Sequence, residues 1–285
     1  MSKFFQYMKT STLLLTTFAV AVSAYAYGSD DETQPVARSG WTWQVHHAEL
    51  VLVDNLAIDS RGTVFATLEK ASGRGQVVEI TSGKVRVLVD DLDRPDGLIR
   101  DGDTLFITEE VGDGRILSYQ LKTGKQQELL RLRKPEGIDR LDNGDLVLAE
   151  DYLGGRLLRW SPSGSVVTLV SGMNRPEGLR VHQDGSIYIA ETGSGRILVY
   201  KHGMLTTLIE GLNKPDQLAF APDSSLWIAE DNNPGRVLRY HSGRLDVMIE
   251  NLASPQGMVF DTQGRLYLAE QHRHRILRVN PPSIR

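Results

Sequence analysis

The sequence predicts an all-β fold: a six-bladed β-propeller with four antiparallel strands per blade. Three observations predict it. A proline that precedes an acid or an amide recurs at Pro95, Pro135, Pro176, Pro215 and Pro255, at spacings of 40, 41, 39 and 40 residues. A glutamate that ends a short apolar run recurs at Glu69, Glu109, Glu150, Glu191, Glu230 and Glu270, at spacings of 40, 41, 41, 39 and 40. An arginine opens the run that follows, at Arg74, Arg115, Arg156, Arg196, Arg236 and Arg275. Markers that share one period of about 40 residues define a unit written six times, and that period with short strands throughout is the signature of a propeller blade.

The fourth unit shows the elements in order. PEGLRV (176–181) is a short strand and HQDG (182–185) a turn; SIYIAE (186–191) is a second strand and TGSG (192–195) a loop. RILVYK (196–201) is a third strand, HG (202–203) a turn, and MLTTLIE (204–210) a fourth. The runs alternate or are β-branched and aromatic, with Gly, Asn, Asp and Pro between them, and no window sustains a helical period. The last unit has only three strands, PQGMVF (255–260), RLYLAE (265–270) and RILRVN (275–280), before Pro281-Pro282. Upstream of the first unit, HAELVLVD (47–54) resembles fourth strands such as KVRVLVDD (84–91). The expectation is that this N-terminal strand completes the last blade and closes the ring, so that no free edge is left at the junction.

The segment before the repeats reads as an address. Residues 1–9 carry two lysines, residues 10–26 are uncharged and mostly apolar, and they end in Ala24-Tyr25-Ala26. This is the layout of a secretory signal peptide, which places the mature chain in the periplasm or outside the cell with no membrane span after cleavage. Residues 27–44 read as a flexible tail and residues 45–285 as one propeller, expected to be monomeric. There is no cysteine, which excludes disulfides, cysteine-bound zinc, thiol nucleophiles and iron–sulfur clusters. Lys and Arg number 32 against 36 Asp and Glu, a formal charge of −4. That balance argues against nucleic acid or an anionic membrane as a partner. No GxSxG nucleophile motif and no H-x-x-x-H zinc motif occurs, and the glycine-rich loops are blade turns rather than phosphate cradles.

Residues 255–277 (PQGMVFDTQGRLYLAEQHRHRIL) resemble an NHL repeat. KPDQLAFAPDSSLWIAE (214–230) is similar to the signature of the senescence-marker-protein/gluconolactonase group, and the Trp/Tyr-x-x-Glu endings resemble those of streptogramin lyases. The resemblance spans about residues 47–279 and implies the propeller fold. For function it implies three things: calcium-dependent lactonases, lyases, or propellers that only bind partners.

By propeller geometry, the residue after each proline faces one mouth of the central channel. Around the ring these are Leu56 (the aligned position in the first unit), Asp96, Glu136, Glu177, Asp216 and Gln256. Four converging carboxylates cannot all stay ionised without a compensating cation or basic groups. A hard divalent cation with oxygen ligands, Ca²⁺ outside the cell, is one answer. The resemblance to calcium lactonases implies the same ligands: Asp96, Glu136, Glu177 and Asp216, with Gln256. The alternative is that each acid pairs with the basic residue two before it, Arg94, Lys134, Arg175 or Lys214. The repeated Glu and Arg of each hairpin read as a structural ion pair in all six blades.

The loops between second and third strands break the symmetry. Tyr152, Asp231 and Asn232 are the candidates for contact with a substrate, and Glu177, His272 and His274 for acid–base catalysis. The leading expectation is an exported Ca²⁺-dependent hydrolase of a small cyclic ester such as a sugar lactone, in which metal-bound water attacks the carbonyl. The alternatives are a non-catalytic NHL-type propeller with a protein, peptide or glycan partner at the channel mouth, and a streptogramin-lyase-like lyase. The lyase pattern has a histidine near its paired acids, where Leu98, Ile138, Leu179, Leu218 and Met258 stand here.

Overall fold

Residues 33–282 are described by the computed structural model, so the expected signal peptide and the start of the tail lie outside the described residues. Alternating and β-branched runs cut by turn residues fold as short antiparallel strands, because each can bury one or both faces between neighbouring sheets. Two strands precede the repeats, β1 (Val36–Ala37) and β2 (Thr42–His47). Blade 1 is β3 (Val53–Ile58), β4 (Val64–Leu68), β5 (Gly75–Thr81) and β6 (Lys84–Leu92). Blade 2 is β7 (Pro95–Asp101), β8 (Thr104–Glu109), β9 (Gly114–Gln120) and β10 (Gln126–Leu132). Blade 3 is β11 (Pro135–Arg140), β12 (Leu146–Glu150), β13 (Leu153–Trp160) and β14 (Val166–Asn174). Blade 4 is β15 (Pro176–Val181), β16 (Ile187–Glu191), β17 (Arg196–Lys201) and β18 (Met204–Ile209). Blade 5 is β19 (Pro215–Phe220), β20 (Leu226–Glu230), β21 (Gly235–His241) and β22 (Arg244–Leu252). Blade 6 is β23 (Pro255–Phe260), β24 (Leu266–Glu270) and β25 (Arg275–Asn280), completed by β2.

The ring therefore closes with an N-terminal strand on the last blade, but the segment is not 47–54. It is β2, paired antiparallel with β25 from Thr42 opposite Asn280 to His47 opposite Ile276. The apolar run Leu50–Val53 instead turns into the first strand of blade 1, and Leu50 and Val53 are buried. Part of the expected flexible tail is thus structure: β1 adds a fifth strand to blade 5 through Val36 opposite Glu250, and β2 is the closure itself. The tail reads as polar and irregular, yet Trp41 packs 5.3 Å from the Trp227 ring and the Trp43 indole N–H donates to the Pro35 carbonyl at 2.9 Å.

Blades pack through six hydrophobic cores, each between neighbouring sheets. At the axis the innermost strands touch their neighbours around the ring, β3 against both β7 and β23. The glycine after the acid makes that approach possible. A Cβ on Gly97 would sit 2.2 Å from the Glu136 carbonyl oxygen, and one on Gly137 2.3 Å from that of Glu177. The same carbonyls are bound: Thr108 Oγ1 accepts from the Gly97 N–H and donates to the Glu136 carbonyl, both at 2.9 Å. Among the described residues no helix is long and apolar enough to cross a membrane.

Candidate functional site

The inner strands carry a ring of acids to one mouth of the channel, and the strand register fixes which residue belongs to it. Pro95 lies opposite Glu109 and Leu98 opposite Ile107 in blade 2; Val53 lies opposite Leu68 and Leu56 opposite Ala66 in blade 1. Val53 is thus the counterpart of the repeated proline, and Asp54, not Leu56, follows it. The inner ring is Asp54, Asp96, Glu136, Glu177, Asp216 and Gln256, all buried. The assignment of Leu56 slipped because blade 1 lacks the marker proline. Counting back from the turn Asp59-x-x-Gly62, which matches Asp261-x-x-Gly264, would have found Asp54.

The same slip affects Glu69. Leu68 and Gln76 face each other where the other blades carry Glu and Arg. The hairpin ion pair exists in five blades: Glu109–Arg115, Glu150–Arg156, Glu191–Arg196, Glu230–Arg236 and Glu270–Arg275. Among the described residues it is missing from blade 1, where Arg74 bonds the Ala71 carbonyl. Glu69 belongs instead to an outer ring formed by the residue after the hairpin glutamate: Glu69, Glu110, Asp151, Thr192, Asp231 and Gln271.

The inner ring and all of the outer ring except Thr192 line one cavity of about 370 Å³ whose named lining residues are all polar, nine of them Asp or Glu against three basic side chains, Arg94, Lys134 and Arg175. The basic residues sit just before the inner-ring acids in left-handed backbone, with φ of 48°, 47° and 53°. That conformation is costly for a side-chain-bearing residue, and it holds each carbonyl where the outer-ring N–H of the same blade donates to it, as Glu110 does to Arg94 at 2.9 Å. Arg94 bridges Glu69 and Glu110. Lys134 bridges Glu110 at 3.0 Å and Asp151 at 3.6 Å, and Arg175 bridges Asp151 at 2.9 Å and Glu177 at 2.6 Å. Pairing with the acid two residues on therefore holds for Arg175 alone; Lys214 is exposed and forms no ion pair among the described residues.

The basic chain covers one side of the mouth, and amides serve much of the rest. Gln271 Nε2 donates to Asp54 at 2.7 Å and Glu69 at 3.0 Å, Asn55 Nδ2 donates to Asp96 at 3.0 Å, and the Ser254 hydroxyl donates to Asp231. Glu136 and Asp216 make no ion pair among the described residues; Asp216 has a side-chain hydrogen bond with Gln217, while its Oδ1 is buried without a hydrogen-bond partner. Carboxylate oxygens of Glu136, Glu177 and Asp216 lie within 4.8 Å of one another. Burial first, and then the neighbouring acids, hold Asp54, Asp96, Glu136 and Asp216 well above the usual carboxylate range. Burial pushes Glu177 up to about 7 against the opposing pull of Arg175. Clustered buried carboxylate oxygens, one of them unpartnered, are hard donors of the kind that suits a divalent cation such as Ca²⁺.

Of the residues singled out from sequence, Asp96, Glu136, Glu177, Asp216, Gln256 and Asp231 are brought together at this cavity. Four are not among its lining. Tyr152 donates to Glu150 at 3.0 Å and lies under the Arg133 guanidinium. Asn232 Nδ2 donates to the Asn213 carbonyl at 2.8 Å. His272 is exposed, and His274 Nδ1 accepts from the Leu52 N–H at 3.3 Å.

Residues 173–200 match the NHL-repeat family model. The sequence matches no curated protein. The fold is shared with solved propellers at low identity. A gluconolactonase of Xanthomonas campestris is 18% identical with a TM-score of 0.72, over 84% of this chain and 89% of its own. A catalytically inactive histidine variant of virginiamycin B lyase from Staphylococcus aureus, solved with quinupristin, is 17% identical with a TM-score of 0.63, over 84% and 99%. A chain of a nidogen/laminin complex is 18% identical with a TM-score of 0.61, over 70% and 80%.

Proposed function

We propose that this propeller is an exported, divalent-cation-dependent hydrolase of a small polar cyclic ester, of the sugar-lactone kind. The observation that carries the reading is the pair of inner acids outside any ion pair, Glu136 and Asp216, the latter with an unpartnered buried Oδ1, beside Glu177 in a cavity lined by polar side chains. Glu136, Glu177 and Asp216, with the Gln256 amide alongside, are the groups that would hold the cation. When bound, a cation such as Ca²⁺ supplies Lewis acidity to a substrate carbonyl.

The chain's own residues supply the rest. Glu177, near neutrality and hydrogen bonded to Arg175 at 2.6 Å, is suited to take the proton of an attacking water, because a base works best with a pKa close to the working pH. Asp231 and the outer-ring carboxylates offer acceptors to substrate hydroxyls. A cavity of about 370 Å³ is at the small end of the usual range for ligand sites, ~300–1,000 Å³, and its polar lining suits a hydroxylated ring rather than an apolar body. No histidine lines it among the described residues, which is why a lyase that depends on histidine is the less supported reading.

The test pairs metal analysis with a lactone screen. The expected result is one equivalent of divalent cation and hydrolysis of sugar lactones, with Asp216→Asn losing both and Glu177→Gln weakening the cation and losing turnover by about 10²–10⁴-fold. Cation binding without hydrolysis in the wild-type chain would favour a propeller that only binds a partner at this mouth.

A further inference from the structure

The inner strands run from the acidic cavity to a second one, of about 310 Å³, and no lining residue is common to the two. Each strand passes through a buried aliphatic residue (Leu56, Leu98, Ile138, Leu179, Leu218 or Met258) between its acid and the far end. The next residue on each strand lines the second cavity: Ala57, Ile99, Asp139, Arg180, Ala219 and Val259. Four are apolar. Asp139 and Arg180, on adjacent blades, break the pattern.

These two do not neutralise each other by direct contact. Asp139 accepts from the Arg140 N–H at 2.8 Å and from the Val181 N–H at 2.7 Å, so both its oxygens are held by backbone. Arg180 Nη1 donates to the Leu179 carbonyl at 2.7 Å, and no ion pair to Arg180 forms among the described residues. Burial lowers the Arg180 pKa, with the more distant Asp139 charge only opposing it. A third lining residue, Arg100, has its Nε buried with no hydrogen-bond partner. Arg140 is turned to Asp101, at 3.0 Å, and does not line the cavity. The site therefore holds two guanidiniums outside any ion pair among the described residues, one of them with an unpartnered buried Nε, against one carboxylate already bound, among aliphatic and phenyl surface from Ile99, Val259, Phe220 and Phe260. Buried guanidinium donors are best met by a planar anion that can take two N–H bonds at once.

We propose that this far mouth is a second binding site, for a small carboxylic acid with a short hydrocarbon body, its carboxylate on Arg180 and Arg100 and its chain against the apolar strand ends. The volume equals about ten waters, which sets the size of ligand at on the order of ten non-hydrogen atoms. Octanoate is a suitable probe, with octanamide as the neutral control of equal length and inorganic phosphate as the anion without a hydrocarbon body.

Calorimetric titration of the full chain tests this. The expected result is saturable octanoate binding, weakened at least tenfold when octanamide replaces octanoate, and at least tenfold in Arg180→Met. Glu177→Gln, at the opposite mouth, should bind octanoate as the wild type does. Val259→Trp, which fills the cavity and leaves both arginines, should abolish binding, so the proposal stays testable if Arg180→Met does not fold. Equal binding of octanoate and octanamide, phosphate binding as tight as octanoate, undiminished binding in Val259→Trp, or no saturation up to about 10 mM in the wild type would overturn it.

Discussion

At the scale of single residues, the acidic mouth is a problem of charge, and its solution is uneven. Arg94, Lys134 and Arg175 neutralise the outer acids of blades 1 to 3 and Glu177. Asp216 keeps a buried oxygen with no partner. A carboxylate raised by burial is protonated in the folded chain at pH values where the unfolded chain has lost its proton. For Glu177, raised from 4.5 to about 7, the sign follows: the metal-free protein has the full benefit below the unfolded value and loses it as pH rises through about 7. The loss is about 3 kcal/mol for this one group. Asp54, Asp96, Glu136 and Asp216 shift in the same direction. Urea denaturation in chelator should therefore show stability falling from pH 5 to pH 8. Added Ca²⁺ should flatten or reverse the trend, because cation binding requires the deprotonated acids and tightens as pH rises. Stability of the chelated protein that climbs over that range would contradict the assignment. Glu177→Gln should reduce the metal-free slope while Lys214→Gln, at an exposed side chain, should leave it unchanged.

At the scale of strands and blades, the sharpest constraint is the close passage of one inner strand under the next. Gly137→Ala would put a methyl 2.3 Å from the Glu177 carbonyl oxygen, a backbone atom that cannot yield as a side-chain tip can. The expected cost is at or above the ~1–3 kcal/mol usual for overpacking, read as a lower urea midpoint. Gly185→Ala is a poor control because its φ is positive; Gly112→Ala, with open space at its Cβ, should be nearly neutral. If Gly137→Ala and Gly112→Ala were equally tolerated, the close approach would not be what the glycine serves. The elements also explain what was legible in sequence. Blades 2 to 6 could be read because Pro, the acid or amide after it, and hairpin Glu–Arg mark the same backbone positions in each. Blade 1 has Val53 for the proline, Asn55 for the glycine, Leu68 for the glutamate and Gln76 for the arginine. With these four replaced, the sequence offers the neighbouring Glu69 in place of Leu68, and Leu56 in place of Asp54. Asp96, Glu136, Glu177 and Asp216 were found because an inner strand gives one residue to the mouth, which a repeat exposes. Which acids stay outside ion pairs was not legible, since it depends on amides and basic groups from other blades, such as Gln271 on Asp54 across 217 positions.

At the scale of the whole molecule, the ring is held shut by one strand from the far end of the chain. β2 lies against β25 over Thr42–His47, whereas β1 only widens blade 5. A chain beginning at residue 49 should lose cooperative unfolding and expose the core between blades 5 and 6, since β25 becomes a bare edge. A chain beginning at residue 40 keeps the closure and should lose far less. Comparable melting of the two truncations would place the closure elsewhere. The two mouths then act as separate places on one scaffold: an acidic one, where six inner strands converge with five carboxylates and an amide, and a far one, where the ring is apolar apart from Asp139 and Arg180.

The most direct measurement is calorimetric titration of Ca²⁺ into the chelated chain beginning at residue 27, at pH 7.5, in the wild type and in Asp216→Asn. The account predicts one site per chain in the wild type, with proton release on binding, and no site in Asp216→Asn at an unchanged fold. No heat of binding in the wild type, or an identical isotherm in Asp216→Asn, would contradict it and leave the acid rings as inter-blade salt bridges and protonated acids.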